Sequence, residues 1–174
     1  MIFYFYKKKL LIQSTENNEF IIPEVSETTF LDKAFETEEF HWKETPLKAV
    51  ELAAPPEKKS QLTLMHIRYL YESIDKSLFD NLCFAFHILQ WDKNTQFCGR
   101  CGGKNSFQNT PIRKFCISCE HTIYPTVSPA VIVAIVKDNT LLLARSPRFT
   151  SGLYSVLAGY VDPGESLEEC VRRE

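Results

Sequence analysis

The chain has 174 residues, 44% of them hydrophobic and 24% charged, with a formal net charge of −2. These proportions exclude wholesale disorder, and the near-neutral balance excludes a protein that grips nucleic acid by bulk charge, leaving only local basic patches open. The longest apolar run, residues 130–136, is far shorter than the ~20 residues of a membrane-spanning helix.

Residues 1–6 are apolar and aromatic and precede Lys7, Lys8 and Lys9. A secretory signal has the reverse order, so the expectation is a soluble cytoplasmic protein with no membrane partner. Residues 1–6 and 20–22 read as strands on their aromatic and β-branched content. Residues 36–60 are charge-rich and hold Pro46, Pro55 and Pro56, which predicts a loop-rich stretch. Leu78, Phe79, Leu82, Cys83, Phe86 and Leu89 recur at helical spacing, predicting an amphipathic helix over residues 77–91. It would pack on the N-terminal domain, with His87 a plain helix residue and no ligand.

Four of the six cysteines form two C-x-x-C pairs, Cys98/Cys101 and Cys116/Cys119, separated by 14 residues. Four thiolates so spaced suit one tetrahedral Zn²⁺. Gly99, Gly102 and Gly103 give the first pair the backbone freedom to fold around an ion. A four-cysteine site has no open coordination position, so this zinc would be structural. The ribbon would occupy residues 97–124. Cys83 and Cys170 read as small core residues.

Beyond Pro125 the texture changes. Residues 130–136 form a continuous β-branched run that predicts a strand buried on both faces. Asp138-Asn139 predicts a turn, residues 141–144 a returning strand, and residues 153–158 a third strand ending at Gly159. Ser166 and Glu169 form a capping box, so a helix should start at Leu167 and run to Glu174. Glu169 and Arg173 stand i, i+4 on it and should pair. Glu165 and Glu174 flank this unit. Physically they are equally readable as oxygen ligands for a hard divalent cation or as solvated helix charges.

Gly159-x5-Glu165-x7-Arg173-Glu174 matches the opening of the Nudix box, G-x5-E-x7-R-E-U-x-E-E-x-G-U, where U is a bulky aliphatic. With the ribbon just upstream, the chain resembles the NADH pyrophosphatase family of Nudix hydrolases. The matching stretches are Phe97-Cys98-Gly99-x-Cys101-Gly102, Tyr124-Pro125, residues 130–136 and the run from Leu157 to Ser166. The resemblance is strong over residues 92–174 and weak before them. It implies an α+β architecture in three parts: an N-terminal mixed α/β domain over 1–92, a four-cysteine zinc ribbon over 93–125, and the first part of a Nudix α/β/α sandwich over 126–174.

The resemblance also implies a reaction, metal-dependent hydrolysis of the diphosphate of NADH or NAD⁺ to nicotinamide mononucleotide and AMP, with NAD-capped RNA as a related substrate. By the family pattern Glu174 is the catalytic carboxylate and, with the backbone carbonyl of Ala158, a ligand for Mg²⁺ or Mn²⁺. Gly159, Glu165 and Arg173 are the structural members of the box, bracing loop and helix. Tyr160 would stack on adenine, and Tyr124 would reach across the subunit interface of a homodimer. Arg68 lies near a position where the family places an arginine on phosphate or ribose.

The box breaks off after Glu174, before its two later glutamates, and the S-Q-P-W-P-F-P-x-S segment that marks NADH preference does not occur. The expectation is therefore that the chain is the earlier part of an enzyme and inactive alone. Two other readings stay open. One is a Nudix hydrolase for another nucleoside diphosphate such as ADP-ribose. The other is a zinc-ribbon binding module on a vestigial Nudix scaffold, presenting Arg100, Lys104, Arg113 and Lys114 with Phe107 and Phe115 to nucleic acid or protein.

Overall fold

In the computed structural model, residues 1–15, 20–23, 31–56 and 62–174 are described. They form two compact units, Met1–Pro125 and Thr126–Glu174. Secondary structure is mixed, with two α-helices and several small sheets among the described residues, an α+β architecture.

The first unit is built on a sheet of β1 (Ile2–Tyr6), β2 (Lys9–Ser14), β3 (Phe20–Ile21), β4 (Lys33–Glu36), β5 (Phe40–Trp42), β6 (Thr45–Leu52) and β7 (Leu62–His66). β1 lies between β2, its antiparallel hairpin partner, and β6, which runs parallel to it from Ile2↔Lys48 to Phe5↔Glu51. β7 lines the outer edge of β2, from Lys9↔His66 to Gln13↔Leu62. β5 and β4 share the other edge of β6.

The period of two along these strands divides the sheet into two faces. Phe3, Phe5, Leu10, Ile12, Leu47 and Ala49 are sealed against helix α1 (Lys76–Asn94), which contributes Leu82, Ala85, Ile88 and Leu89. Tyr4, Leu11, Val50 and Leu52 make a smaller cluster on the opposite face. Asp75 starts the helix by accepting from the amides of Ser77 (2.7 Å) and Leu78 (3.3 Å), two donors the first turn leaves free.

The prediction of a loop over residues 36–60 is corrected here. That stretch holds β5 and β6, and β6 is central to the sheet; residues 57–60 lie outside the described residues. Pro46 is tolerated because it sits near the start of β6, where its carbonyl accepts from the N-terminal ammonium at 2.8 Å and no amide is needed. Cys83, expected in the core, is exposed on α1, whereas Cys170 is fully buried.

Three antiparallel strands complete the first unit: β8 (Asn105–Asn109), β9 (Ile112–Cys116) and β10 (Thr122–Ile123). They pack on the same core through Phe107, Ile112 and Ile123. Lys114, expected as a surface cation of the ribbon, is 2% exposed. Its ammonium is spent on the end of α1, donating to the backbone carbonyls of Asp92 (2.7 Å) and Thr95 (3.1 Å).

The second unit contains β11 (Ala130–Val133), β12 (Val136–Lys137), β13 (Thr140–Leu141), β14 (Leu157–Tyr160) and α2 (Leu167–Arg173). β11 pairs with β14, and β12 with β13 across a turn in which Asp138 has φ +52°. The strand expected over residues 130–136 breaks after Val133, and it is not buried on both faces: Ile132 is 73% exposed. The returning strand is shorter than expected, and the third strand starts later and runs through Gly159 to Tyr160. Cys170 is the only buried residue of Thr126–Glu174. The apolar run thus reads as core-forming, but the unit supplies little to cover it. No helix among the described residues is long and apolar enough to cross a membrane.

Candidate metal centre and Nudix loop

The cysteine cluster is made by two copies of one local turn. In the first, the Cys98 amide donates to Gly103 O (2.7 Å) and the Gly102 amide to Cys98 O (2.9 Å). In the second, the Cys116 amide donates to His121 O (2.9 Å) and the Glu120 amide to Cys116 O (2.9 Å). In both copies the residue after the second cysteine is left-handed, Gly102 at φ +75° and Glu120 at +58°. Amides also point at sulfur: Arg100 N to Cys98 Sγ and Ser118 N to Cys116 Sγ, each 3.4 Å. The pairing Asn105↔Cys116 in the β8–β9 hairpin brings the two turns face to face.

All four sulfurs consequently lie within 4.8 Å of one another, with Cys101 and Cys116 3.3 Å apart and Cys98 and Cys119 3.8 Å apart. Four sulfur donors, two of them buried, fit a soft, tetrahedral structural ion. The Gly103 amide draws the Cys101 thiol down, but the neighbouring sulfurs of Cys119 and Cys116 override it and push it up to about 12. Burial raises Cys116, and the Ser118 and Cys119 amides with its sulfur neighbours more than reverse that, to about 6. A bound cation would displace the protons these thiols share.

The second site lies in the unit Thr126–Glu174. Strand β14 delivers Ala158, Gly159 and Tyr160, the following loop turns at Gly164 (φ +86°), and α2 opens at Ser166. The capping box is formed: Glu169 N donates to Ser166 Oγ (3.2 Å) and Ser166 N to Glu169 Oε2 (2.8 Å). This use of Glu169 explains why its expected pairing with Arg173 does not form. Arg173 instead grips Glu165 with two parallel bonds, Nε to Oε1 at 2.8 Å and Nη2 to Oε2 at 2.9 Å.

Glu165 Oε2 also accepts from the Asp162 amide (3.0 Å), and Arg173 Nη2 donates to Tyr160 O (2.8 Å). One guanidinium therefore ties strand end, loop and helix together. The Arg173 hydrogen bonds, followed by the Asp162 amide, hold the Glu165 carboxyl down at about 2. The same contact with Glu165 raises Arg173 above its ordinary range.

Glu174 lies across the strand from its own helix end. Its Oε1 accepts from Arg173 Nη1 at 2.7 Å, and its carboxylate rests on Gly159, where a Cβ would stand 2.0 Å from Glu174 Cδ. Glu165, Arg173, Glu174 and Gly159 thus form a chain of contacts, each touching the next, with Ala158 next in the strand. Tyr160, 70% exposed, lines a shallow pocket of about 470 Å³ with Val127, Ser128, Pro129, Val161, Asp162 and Pro163. Tyr124 and Arg68 are exposed residues of the first unit.

Comparison with known proteins bears on both units. A model described as a NADH pyrophosphatase-like rudimentary NUDIX domain matches residues 1–91, more than half of the chain, and a NUDIX domain model matches residues 126–174. The chain belongs to the NADH pyrophosphatase family of Nudix hydrolases.

Its similarity to curated relatives of that family is substantial. It is 44% identical over 108 residues to the NAD-capped RNA hydrolase NudC of Stutzerimonas stutzeri, a match covering 62% of this chain and 39% of the relative. The protein of the same name from Pseudomonas aeruginosa is 38% identical over 134 residues, 77% of this chain and 48% of the relative. That from Pseudomonas syringae pv. tomato is 45% identical over 103 residues, 58% and 36%. The matches span less than half the length of these relatives. The first match falls on the N-terminal NADH-pyrophosphatase-like domain expected over residues 1–92, although that stretch contains no Gly-x5-Glu-x7-Arg-Glu pattern.

Proposed function

We propose that the chain carries residues of a divalent-metal site for hydrolysing the diphosphate of NAD(H) and of NAD-capped RNA. The observation that supports this best is the position of the Glu174 carboxylate, held by Arg173 over Gly159 in β14. Mg²⁺ or Mn²⁺, when bound, would neutralise diphosphate oxygens and lower the pKa of the attacking water. Glu174 and the Ala158 carbonyl would hold that ion. Glu165 and Arg173 act as the brace, since both oxygens of Glu165 already accept hydrogen bonds from Arg173 and the Asp162 amide.

In this reading Tyr160 stacks on a base at the pocket edge, Tyr124 does so across a homodimer, and Arg68 contacts phosphate. Cys98, Cys101, Cys116 and Cys119 hold a structural Zn²⁺ between an N-terminal domain over 1–92 and a Nudix domain from 126. All six cysteines are free thiols, which suits a reducing cytoplasm.

The test is Mg²⁺-dependent release of AMP from NADH and of NAD caps from RNA by the product of the whole reading frame, beside its Glu174→Gln variant and this chain alone. The expected result is hydrolysis by the whole product and a loss of roughly 100-fold or more in the variant. Hydrolysis indifferent to Glu174→Gln, or none with any divalent metal, would reject the reading and leave a zinc-ribbon binding module.

A further inference from the structure

We propose that a cavity of about 450 Å³, lined by β4, the end of α1 and the β8–β9 hairpin, binds the guanidinium head of a small guanidino compound, a free amino acid of that kind above all. The cavity lies within the first unit and is independent of the diphosphatase reading.

At the α1 end of the cavity the side-chain donors are spent on the fold itself. The Lys114 ammonium has three N–H groups. It lies 2.6 Å from Asp92 Oδ1 and donates to Asp92 O at 2.7 Å and to Thr95 O at 3.1 Å. Gln96 Nε2 donates to Asp92 O (2.7 Å) and Oδ1 (2.9 Å), and Asn105 Nδ2 to Thr95 O (2.8 Å). Acceptors are what remain. Among the described residues no hydrogen bond ends on Asp92 Oδ2 or Gln96 Oε1, and Asn105 Oδ1 is enclosed without a partner. Asp92 and Asn105 both line the cavity and are only 5% and 7% exposed, so bulk water serves them poorly.

A ligand that completes this end of the cavity must bring N–H groups there and no acceptor. A guanidinium carries five N–H donors in a flat fork that matches a carboxylate, and it has no acceptor. The last turn of α1 also favours positive charge, through the partial negative charge of a helix end. Phe35 and Phe107 give the cavity aromatic walls, on which a flat cation stacks. A nucleotide is the wrong chemistry here, since its phosphates and ring nitrogens would meet acceptors. Glu38 and Lys104 are the exposed part of the lining and carry both signs of charge, which suits the ammonium and carboxylate of an amino acid. The volume lies within the ~300–1,000 Å³ of small-molecule sites.

The experiment is isothermal titration calorimetry of the full reading-frame product with L-arginine, L-citrulline and N-acetyl-argininamide. Arginine should bind saturably below about 1 mM. Citrulline, whose urea replaces a donor by an acceptor, should bind at least about tenfold more weakly. Glu38→Lys, at an exposed lining residue, should weaken arginine binding about tenfold. Glu39→Lys, one residue along and off the lining, should match the parent. Asp92→Asn should abolish binding; if that variant does not fold, Glu38→Lys and citrulline decide. The blocked compound lacks both charged ends of the amino acid and so separates the sources. Binding weaker than arginine's supports the free amino acid, whereas equal or tighter binding overturns it in favour of an arginine side chain in a peptide. No saturable heat with either guanidino probe, or citrulline binding as tightly as arginine, overturns the guanidinium site altogether.

Discussion

The ammonium of Lys114 lies 2.6 Å from Asp92 Oδ1, and both side chains are almost sealed from solvent, 2% and 8% exposed. Lys114 comes from the middle of β9 and Asp92 from the last turn of α1, so this pair fastens the ribbon to the helix end. Lys114 also donates to the carbonyls of Asp92 and of the C-cap residue Thr95, and Gln96 Nε2 donates to the same carboxylate oxygen at 2.9 Å. The ammonium lies 5.5 Å over the Trp91 ring.

Removing one member of such a buried pair leaves the other charged and unpartnered. Lys114→Met should destabilise the first unit by about 3–5 kcal/mol. Lys114→Met combined with Asp92→Leu should recover a large part of that loss. Urea unfolding monitored by tryptophan fluorescence reports both, since Trp91 adjoins the pair. Equal destabilisation in the single and double variants would mean that packing, and not the orphaned charge, sets the cost.

At Gly159 the expected effect falls on chemistry and spares stability. A methyl group there meets the far end of the Glu174 side chain, which is flexible enough to move aside. Gly159→Ala should therefore fold normally and lose of the order of 100-fold in Mg²⁺-dependent hydrolysis through a displaced carboxylate. Thermal melting and kcat, measured on the whole reading-frame product, test the two halves of that statement. A drop in melting temperature with normal kcat would contradict it.

The Glu165–Arg173 brace should titrate in acid. Its carboxyl sits at about 2 in the fold against an ordinary 4.5, so the folded state favours the ionised form. The stabilisation is therefore fully present above about 4.5 and fades as pH falls towards 2, as the ordinary value is crossed first. Amide signals of Asp162 and Glu165 should stay fixed from neutral pH down to about 4.5 and shift below it. Arg173→Lys, which cannot form the two-pronged contact, should abolish that low apparent value. A shift centred at the ordinary value in the parent protein would show the brace to be absent in solution.

Within the cysteine turns, Glu120 holds a backbone conformation that costs a residue with a Cβ about 1 kcal/mol. Glu120→Gly should stabilise the ribbon by up to that amount, and Gly102→Ala should cost a similar amount. Melting curves recorded at saturating Zn²⁺ decide the sign of each.

A strong thiol-competent chelator should remove about one zinc per chain, as read by metal analysis. Hydrogen exchange should then accelerate at residues 98–104 and 116–121, while β1, β6 and α1 keep their protection from the core around Phe3, Phe5 and Leu82. Uniform loss of protection across the first unit would show that the metal, and not that core, holds it together.

Local signals in the sequence were read well where a single segment carried its own instruction. The capping box at Ser166, the cysteine pairs and the apolar stripe of α1 are of this kind, and the structure contains each. Reading failed where the environment decides. β6 looked like a loop because of Pro46 and its charges, yet β1 beside it and β4 and β5 on its far edge make it a central strand. Lys114 looked solvated because nothing near it in sequence is acidic; its partner is 22 residues away. Helical spacing paired Arg173 with Glu169, which is committed to the cap, whereas the family pattern paired it with Glu165, the contact that the structure contains. Of the Nudix loop, the residues that meet were legible in the motif, whereas the direction of each hydrogen bond was not.

The paired cysteine turns imply an order of events in loading the metal. Each turn closes through its own backbone bonds, and the hairpin register sets one against the other, so the four sulfurs are gathered by main-chain geometry. An ion arriving at such a nest has little chain left to organise. Its affinity is spent on exchanging protons for metal, and uptake should be quick and reversible in proportion to acidity, behaving more like filling a socket than like triggering a fold.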